Sequence, residues 1–302
     1  MEKIVQLQAM LHVRHGVMII GDPMSGKTKT NNILAESLTT LAERKIPEQH
    51  EFKVQSTIIN PKSITMAQLY GCFDPETHEW SDGVLATTFR DMATSTAQER
   101  KWIILDGPAD PAWIENLNTV LDDSKKLCLM SGEIVHLSPW MRMLFELSDL
   151  NFASPATVSR CGMIYMESHK LGWRPLMLSY LASLPESFSE EQKSLLSDMF
   201  EWMVPACLKL IKDCPLNIRY SELHLFSSLT RIFSAVIDVR GVKENKTKVE
   251  TITLQTVFIF SIIWGLSSTI PEGSKQKFDT FFRNLIDGLV KGRWRRGRRR
   301  AL

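Results

Sequence analysis

Apolar residues in the first half of the chain come in short blocks separated by longer amphipathic stretches. The blocks at 16–20, 54–59, 101–105, 143–145 and 162–165 are rich in Val, Ile, Leu and Met. Turn-forming or charged residues bound them, which suits strands buried on both faces. The stretches between carry apolar positions at helical spacing, and strand alternating with helix predicts a parallel sheet with helices on both sides. The opening residues, 1–15, read as a short amphipathic helix leading into the first strand.

Two segments interrupt this rhythm. Residues 73–83 are turn-rich and lie between helix-like stretches, while residues 126–137 set a Ser131-Gly132 turn between two extended arms, a hairpin pattern. Each is either a solvated loop or a decoration able to reach a partner surface. Beyond Glu167 the character changes. From about Trp173 to Leu289 the pattern is helical, broken at Pro185, Pro215 and the polar stretch 241–247, which predicts a separate all-helical subdomain. The expected division is an α/β part at 1–170, a helical part at 171–290 and a tail at 291–302. The most apolar run, 257–266, falls well short of the roughly 20 residues of a membrane span and reads as a buried core helix.

Composition narrows the class. With 302 residues, 44% hydrophobic and 23% charged, disordered and fibrous classes are poor descriptions. The five cysteines (Cys72, Cys128, Cys161, Cys207 and Cys214) include no C-x-x-C pair and read as reduced thiols of an intracellular protein rather than a disulfide framework or a zinc site. The N-terminus has no apolar core ahead of a cleavage site, so a secretory signal is not expected. Net charge is +2, but residues 291–300 alone hold seven cations, leaving the rest mildly acidic. Such a block predicts a disordered tail. With Trp294 it could contact phosphates and stack on a base, or bind nothing specific. Neither nucleic acid nor membrane is the expected partner.

The candidate chemistry begins at Gly21-Asp22-Pro23-Met24-Ser25-Gly26-Lys27-Thr28, which matches G-x-x-x-x-G-K-[ST] between a strand and a helix. Backbone N–H groups of the loop and the helix dipole suit phosphate oxygens. All eight residues are candidate nucleotide contacts, with Lys27 placed for the β- and γ-phosphates and Thr28 for Mg²⁺. The expected ligand is ATP with Mg²⁺. Residues 102–106 form an apolar strand ending in Asp106, the form of a Walker B strand, and Asp106 is expected to support the magnesium through water. Hydrolytic members of this architecture usually follow that Asp with Glu. Here Gly107 follows, with no group to polarise water, and neither Asp110 nor Glu115 is adjacent. Binding with very slow or no turnover is expected. Finally, Arg160 precedes the last strand, where a guanidinium can act as an arginine finger on a γ-phosphate. An isolated loop arginine is more often a surface ion-pair partner.

Together these elements resemble the AAA+ superfamily. The phrases NPKSITMAQLYG at 60–71, HEWSDGVL at 78–85, DGPADPAWIENLN at 106–118 and SPATVSRCG at 154–162 are similar to the dynein heavy chain, in particular to the second of the six AAA+ modules of its motor ring. The similarity covers about residues 1–290, and MSGE at 130–133 with SPAT at 154–157 resembles axonemal more than cytoplasmic forms.

The resemblance implies a P-loop parallel sheet flanked by helices, followed by an all-helical lid. It implies a module that holds ATP without useful turnover, with Arg160 reaching the nucleotide of the first module and the insertions around 73–83 and 130–137 facing the linker. Implied partners are the neighbouring AAA+ modules and the linker. Intermediate chains, light chains and microtubules would be met only through the full complex. The implied location is cytoplasm and cytoskeleton, in the ciliary axoneme. The chain departs from a complete heavy chain in reading as one module without linker, stalk or other modules, so it is not expected to be a motor alone. The tail from Lys291 does not resemble the passage into a next module and reads as an alternative or truncated C-terminus. An independently active slow P-loop ATPase and a dynein-derived fragment without motor activity are the alternative readings.

Overall fold

The computed structural model describes residues 1–44, 51–215, 220–239 and 251–288. It comprises two compact units, Met1–Ser168 and His169–Leu302. The predicted break at 241–247 and the basic tail from Lys291 lie outside the described residues.

In the first unit, α1 (Glu2–Val13) leads into β1 (Gly16–Ile20), followed by α2 (Lys27–Arg44), β2 (Val54–Ile59) and α3 (Met66–Tyr70). Next come β3 (Gly71–Phe73), β4 (Trp80–Asp82), α4 (Val84–Thr94), β5 (Arg100–Asp106), α5 (Pro111–Ile114) and α6 (Asn118–Leu121). The unit closes with β6 (Lys126–Cys128), β7 (Ile134–His136), β8 (Met141–Leu147), α7 (Pro155–Arg160) and β9 (Gly162–Tyr165). Five strands form one parallel sheet in the order β2-β5-β8-β1-β9. Each coincides with a predicted strand. The largest difference is β8, which extends two residues past the predicted run at both ends because it includes Arg142 and Glu146, polar residues that broke the apolar pattern.

Side chains of a strand alternate between faces, and the two cores divide accordingly. Trp102, Ile104 and Leu144 join Val17 and Ile19 under Leu7 and Leu11 of α1 and Leu34 and Leu38 of α2. Ile103, Leu105, Met143 and Phe145 face the other way, onto Leu69, Phe89, Trp113 and Leu121 from α3 to α6. Burial on both faces explains why the inner strands β1, β5 and β8 read as near-continuous apolar runs, while the edge strands β2 and β9 are partly exposed.

Lys101 and Arg142 sit near the amino-terminal edge of this sheet, each against the end of a helix. Lys101 of β5 is 0% exposed, and its ammonium donates to the carbonyls of Met92 (3.0 Å) and Ser95 (2.8 Å) at the end of α4. Arg142 of β8 donates through Nε to the Leu11 carbonyl (2.8 Å) near the end of α1. Helix C-termini leave carbonyls unpaired and carry partial negative charge, so a cation on the adjoining strand satisfies both needs. That is how a lysine tolerates complete burial.

The two decorations are both hairpins. Residues 73–83, whose composition suggested a turn-rich loop, are closed by β3 and β4, with Phe73 opposite Trp80 and their rings edge to face at 5.1 Å. The predicted second hairpin is formed by β6 and β7. Arg90 of α4 joins them: it donates to both carboxylate oxygens of Asp82 (2.8 and 3.0 Å) and to both of Glu133 (2.9 and 2.6 Å). The hydrogen bonds from Arg90 and Trp80 hold the Asp82 carboxyl down at about 2, and Arg90 also holds Glu133 below the usual carboxylate range.

After β9 and the short α8 (Ser168–Leu171), the second unit contains α9 (Arg174–Ser183), α10 (Glu190–Lys212), α11 (Glu222–Val239), α12 (Thr251–Leu266) and α13 (Glu272–Ile286). Ser189 and Gln192 cap the start of α10 reciprocally, satisfying two of its free amides. Pro185 and Pro215 fall outside helices, whereas Pro205 lies within α10, where it forfeits one intrahelical bond. Phe200, Phe226 and Phe258 form the aromatic centre, with ring centroids 5.2 and 4.8 Å from Phe200. The apolar run at 257–266 is part of a longer element than expected: with a following 3₁₀ turn, Thr251–Thr269 is 19 residues, long and apolar enough to cross a membrane, and 39% buried. One side, including Leu254, Phe258 and Ile262, joins the core, while Ile252, Phe260 and Trp264 are exposed.

Replacing Lys101 by Met keeps the stem but leaves the carbonyls at the end of α4 without their donor. Chemical unfolding should show a loss of about 1–3 kcal/mol; an unchanged midpoint would reject the capping role.

Candidate functional site

The carboxyl-terminal edge of the sheet is built the opposite way. β1 ends at Ile20, the Gly21 amide donates to the Leu147 carbonyl (3.1 Å), and the chain turns through Met24 (φ 64) and Gly26 (φ 92) before α2 begins at Lys27. Two left-handed residues so close together turn backbone N–H groups towards one hollow. The first amides of α2, which have no intrahelical partner, add to it. Met24 takes this conformation without being glycine, a strain of the kind that marks functional loops. The Ser25 hydroxyl is buried without a hydrogen-bond partner. A Cβ on Gly21 would run into the Met166 carbonyl and the Ser25 hydroxyl, so only glycine fits where the loop leaves the strand.

Lys27 folds back over this loop, donating to the carbonyls of Gly21 (2.6 Å) and Asp22 (3.1 Å). Burial lowers its pKa, against the opposing pull of Glu146, Asp106 and Asp22. Thr28, one residue further, donates its hydroxyl to Oε2 of Glu146 at 2.5 Å. Asn31, one turn along α2, donates to Oε1 at 2.6 Å. Glu146 is 3% exposed and belongs to β8, between the strands that carry the loop and Asp106. It is in register with Ile19 of β1 and Asp106 of β5. By alternation Glu146 and Asp106 lie on the face that α2 covers. Burial pushes the Glu146 carboxyl up, the Thr28 and Asn31 hydrogen bonds hold it back, and the Asp106 charge adds to the rise.

The free amides, the lysine and the unpartnered Ser25 hydroxyl fit a polyphosphate. The oxygens of Thr28 and Asp106 are hard donors of the kind Mg²⁺ prefers, and Glu146 stands behind Thr28.

Beside Asp106 stands Gly107, where a Cβ would come within 3.2 Å of Asn60 Oδ1 and Pro61 Cδ. The nearby acids are otherwise employed or distant in sequence. Asp110 accepts from the Ala112 amide (2.9 Å) as the N-cap of α5 and pairs with Lys62, whose hydrogen bond lowers its pKa. Glu115 is exposed on a 3₁₀ turn.

Arg160 is not brought to this site. It ends α7, just before β9, whose Gly162 is level with Val17 and whose Tyr165 is level with Ile20. It therefore stands at the amino-terminal edge of the sheet, more than about 10 Å along the strands from the loop. Its Nε is paired with Asp122 and its Nη1 donates to the Ala156 carbonyl (2.7 Å). Glu146, Asn31 and Asp122 are the residues that motif reading missed. An acid inside an apolar strand was the available signal for Glu146, since a buried carboxylate requires partners.

The two units correspond to two family models. Residues 16–161 match the AAA domain of the dynein-related subfamily, and residues 196–295 match the dynein heavy chain AAA lid domain. The chain belongs to the dynein heavy chain family. It is 51% identical over 297 residues to the human dynein axonemal heavy chain 3, covering 95% of this chain and 7% of that protein. It is 45% identical over 291 residues to the mouse dynein axonemal heavy chain 12, covering 95% of this chain and 9% of that one. This dynein segment thus spans a small fraction of the length of the relatives it matches, one AAA+ module with a helical lid.

Because the Gly21 position has no room for a side chain, Gly21→Ala should distort the loop of this dynein module and lower its stability by about 1–3 kcal/mol. A thermal melt indistinguishable from wild type would show that the loop yields freely.

Proposed function

We propose that this chain is the second AAA+ module of an axonemal dynein heavy chain, binding ATP with Mg²⁺ as a structural ligand rather than a fuel. The observation that carries the reading is the division of labour between the two edges of one sheet. At the carboxyl edge, Lys27 sits over the loop and Thr28 donates to Glu146, whose neighbour in register is Asp106, while the position next to Asp106 is a glycine. Phosphate and metal have partners there. An attacking water has none in the adjacent position. When bound, the magnesium supplies charge neutralisation at the phosphate oxygens. Lys27 would exchange the loop carbonyls for the β- and γ-phosphates, and Thr28 with Asp106 would hold the metal.

At the amino-terminal edge, Arg160 cannot serve its own loop and is offered to a neighbour. Two of its three nitrogens are held by Asp122 and Ala156, which fixes the direction of the guanidinium and suits a finger acting in trans. The α/β part to about residue 170 would form the nucleotide-binding subdomain and 171–290 the lid. Its partners would be the neighbouring AAA+ modules and the linker, the latter through the two hairpins that Arg90 joins. Intermediate chains, light chains and microtubules would be engaged by the whole complex in the cytoskeleton of the ciliary axoneme.

Purified chain mixed with radiolabelled ATP and Mg²⁺ should retain intact ATP through gel filtration, and Lys27→Ala should abolish retention. Conversion to ADP at about one turnover per second or faster, within the ordinary enzyme range, would reject the non-hydrolytic reading. In a complete heavy chain, Arg160→Ala should slow turnover at the adjoining module about a thousandfold while ATP binding to this module stays normal. Unchanged turnover of the ring would remove the finger assignment.

A further inference from the structure

We propose that Glu146 is a positioning residue for the magnesium ion, aiming the Thr28 hydroxyl and adding a second negative charge beside Asp106. The inference rests on the nucleotide-binding reading above and deepens it. A hydroxyl has one proton to give and two lone pairs, and a metal needs a lone pair. With its proton committed to Glu146 Oε2 at 2.5 Å, Thr28 must present lone pairs elsewhere. Without that acceptor the same proton could turn towards the phosphates, and the hydroxyl would be a donor where a ligand is required.

The carboxylate is itself fixed. Asn31 donates to Oε1 at 2.6 Å, so both oxygens are held and the group cannot rotate away. Both donors come from α2, the helix that opens at the phosphate loop, and the backbone of Glu146 belongs to the strand between β1 and β5. Loop, metal-supporting aspartate and Glu146 are thereby registered to one another through the sheet. Lys27 feels the charges of both Glu146 and Asp106, and among the described residues it is the cation recorded as acting on Glu146. Two carboxylates against one lysine leave negative charge for which a divalent cation is the natural complement. An acid at 3% exposure is costly to keep unless its charge is used.

The test separates charge from shape. In Glu146→Gln the carbonyl oxygen can still accept from Thr28. The new amide can donate to the Asn31 side-chain oxygen, which is buried without a partner, once Asn31 flips. Mant-ATP binding to the 302-residue chain is measured in EDTA and then titrated with Mg²⁺. For Glu146→Gln, affinity in EDTA should stay within about twofold of wild type, while the Mg²⁺ needed for half-maximal tightening rises about 10- to 100-fold, the usual cost of losing a partner behind a metal ligand. An unchanged Mg²⁺ titration overturns the proposal, and so does equal weakening with and without metal, which would mean general damage to the loop. Should Glu146→Gln not fold, Asn31→Ala frees the carboxylate without removing its charge and should shift the Mg²⁺ midpoint in the same direction, by about threefold or more; no shift overturns the proposal. A wild-type chain that fails to bind mant-ATP both in EDTA and with Mg²⁺ overturns the nucleotide-binding reading and this inference with it.

Discussion

A parallel sheet gathers all its strand ends of one kind along one edge, and the helices that carry the chain back must run against it. Helix N-termini therefore collect at the carboxyl edge and helix C-termini at the amino edge. The polar residues of the first unit follow from that polarity. Lys101 and Arg142 answer the carbonyls of α4 and α1 at one edge. At the other, the opening of α2 and the loop before it present amides to a hollow. The same field that lets a lysine be buried below makes an anion welcome above.

Glu146 is the exception that gives the carboxyl edge its chemistry. An acid in the middle strand of a parallel sheet runs against burial, yet Thr28 and Asn31 meet both its oxygens. Its neighbour in register is Asp106. Two acids are thus brought side by side, and next to Asp106 stands Gly107, whose close approach to Asn60 and Pro61 leaves little room for a larger residue. On the proposed reading, the module is organised to grip a nucleotide firmly and to leave its terminal bond alone.

The remaining charged contacts concern rigidity at the surface. Arg90 ties the hairpin of β3 and β4 to that of β6 and β7 through four hydrogen bonds, so a push on one is felt by the other. Asp122 and the last turn of α7 hold Arg160 in one direction. In a ring of modules, a site that closes on its own nucleotide and an arginine fixed on the opposite edge would be joined by β1 and β9, whose register runs from one to the other.

Sequence alone carried the parallel sheet and the family, and it supplied the G-x-x-x-x-G-K-T motif on which the proposed phosphate site rests, because apolar periodicity and loop motifs are local properties written in consecutive residues. Gly21 to Thr28 could be recognised without a fold, and so could the glycine after Asp106. Residues 73–83 could not be recognised as a hairpin, since their cross-strand contact joins Phe73 to Trp80 over a stretch dominated by turn formers. The length of α12 was underestimated because its polar first turns dilute the apolar run. Tertiary structure decided what depended on distant partners. Glu146 became the base of the loop because β8 inserts between β1 and β5, and Arg160 was separated from its own loop because β9 begins at the far edge. Strand order sets both, and no stretch of consecutive residues contains it.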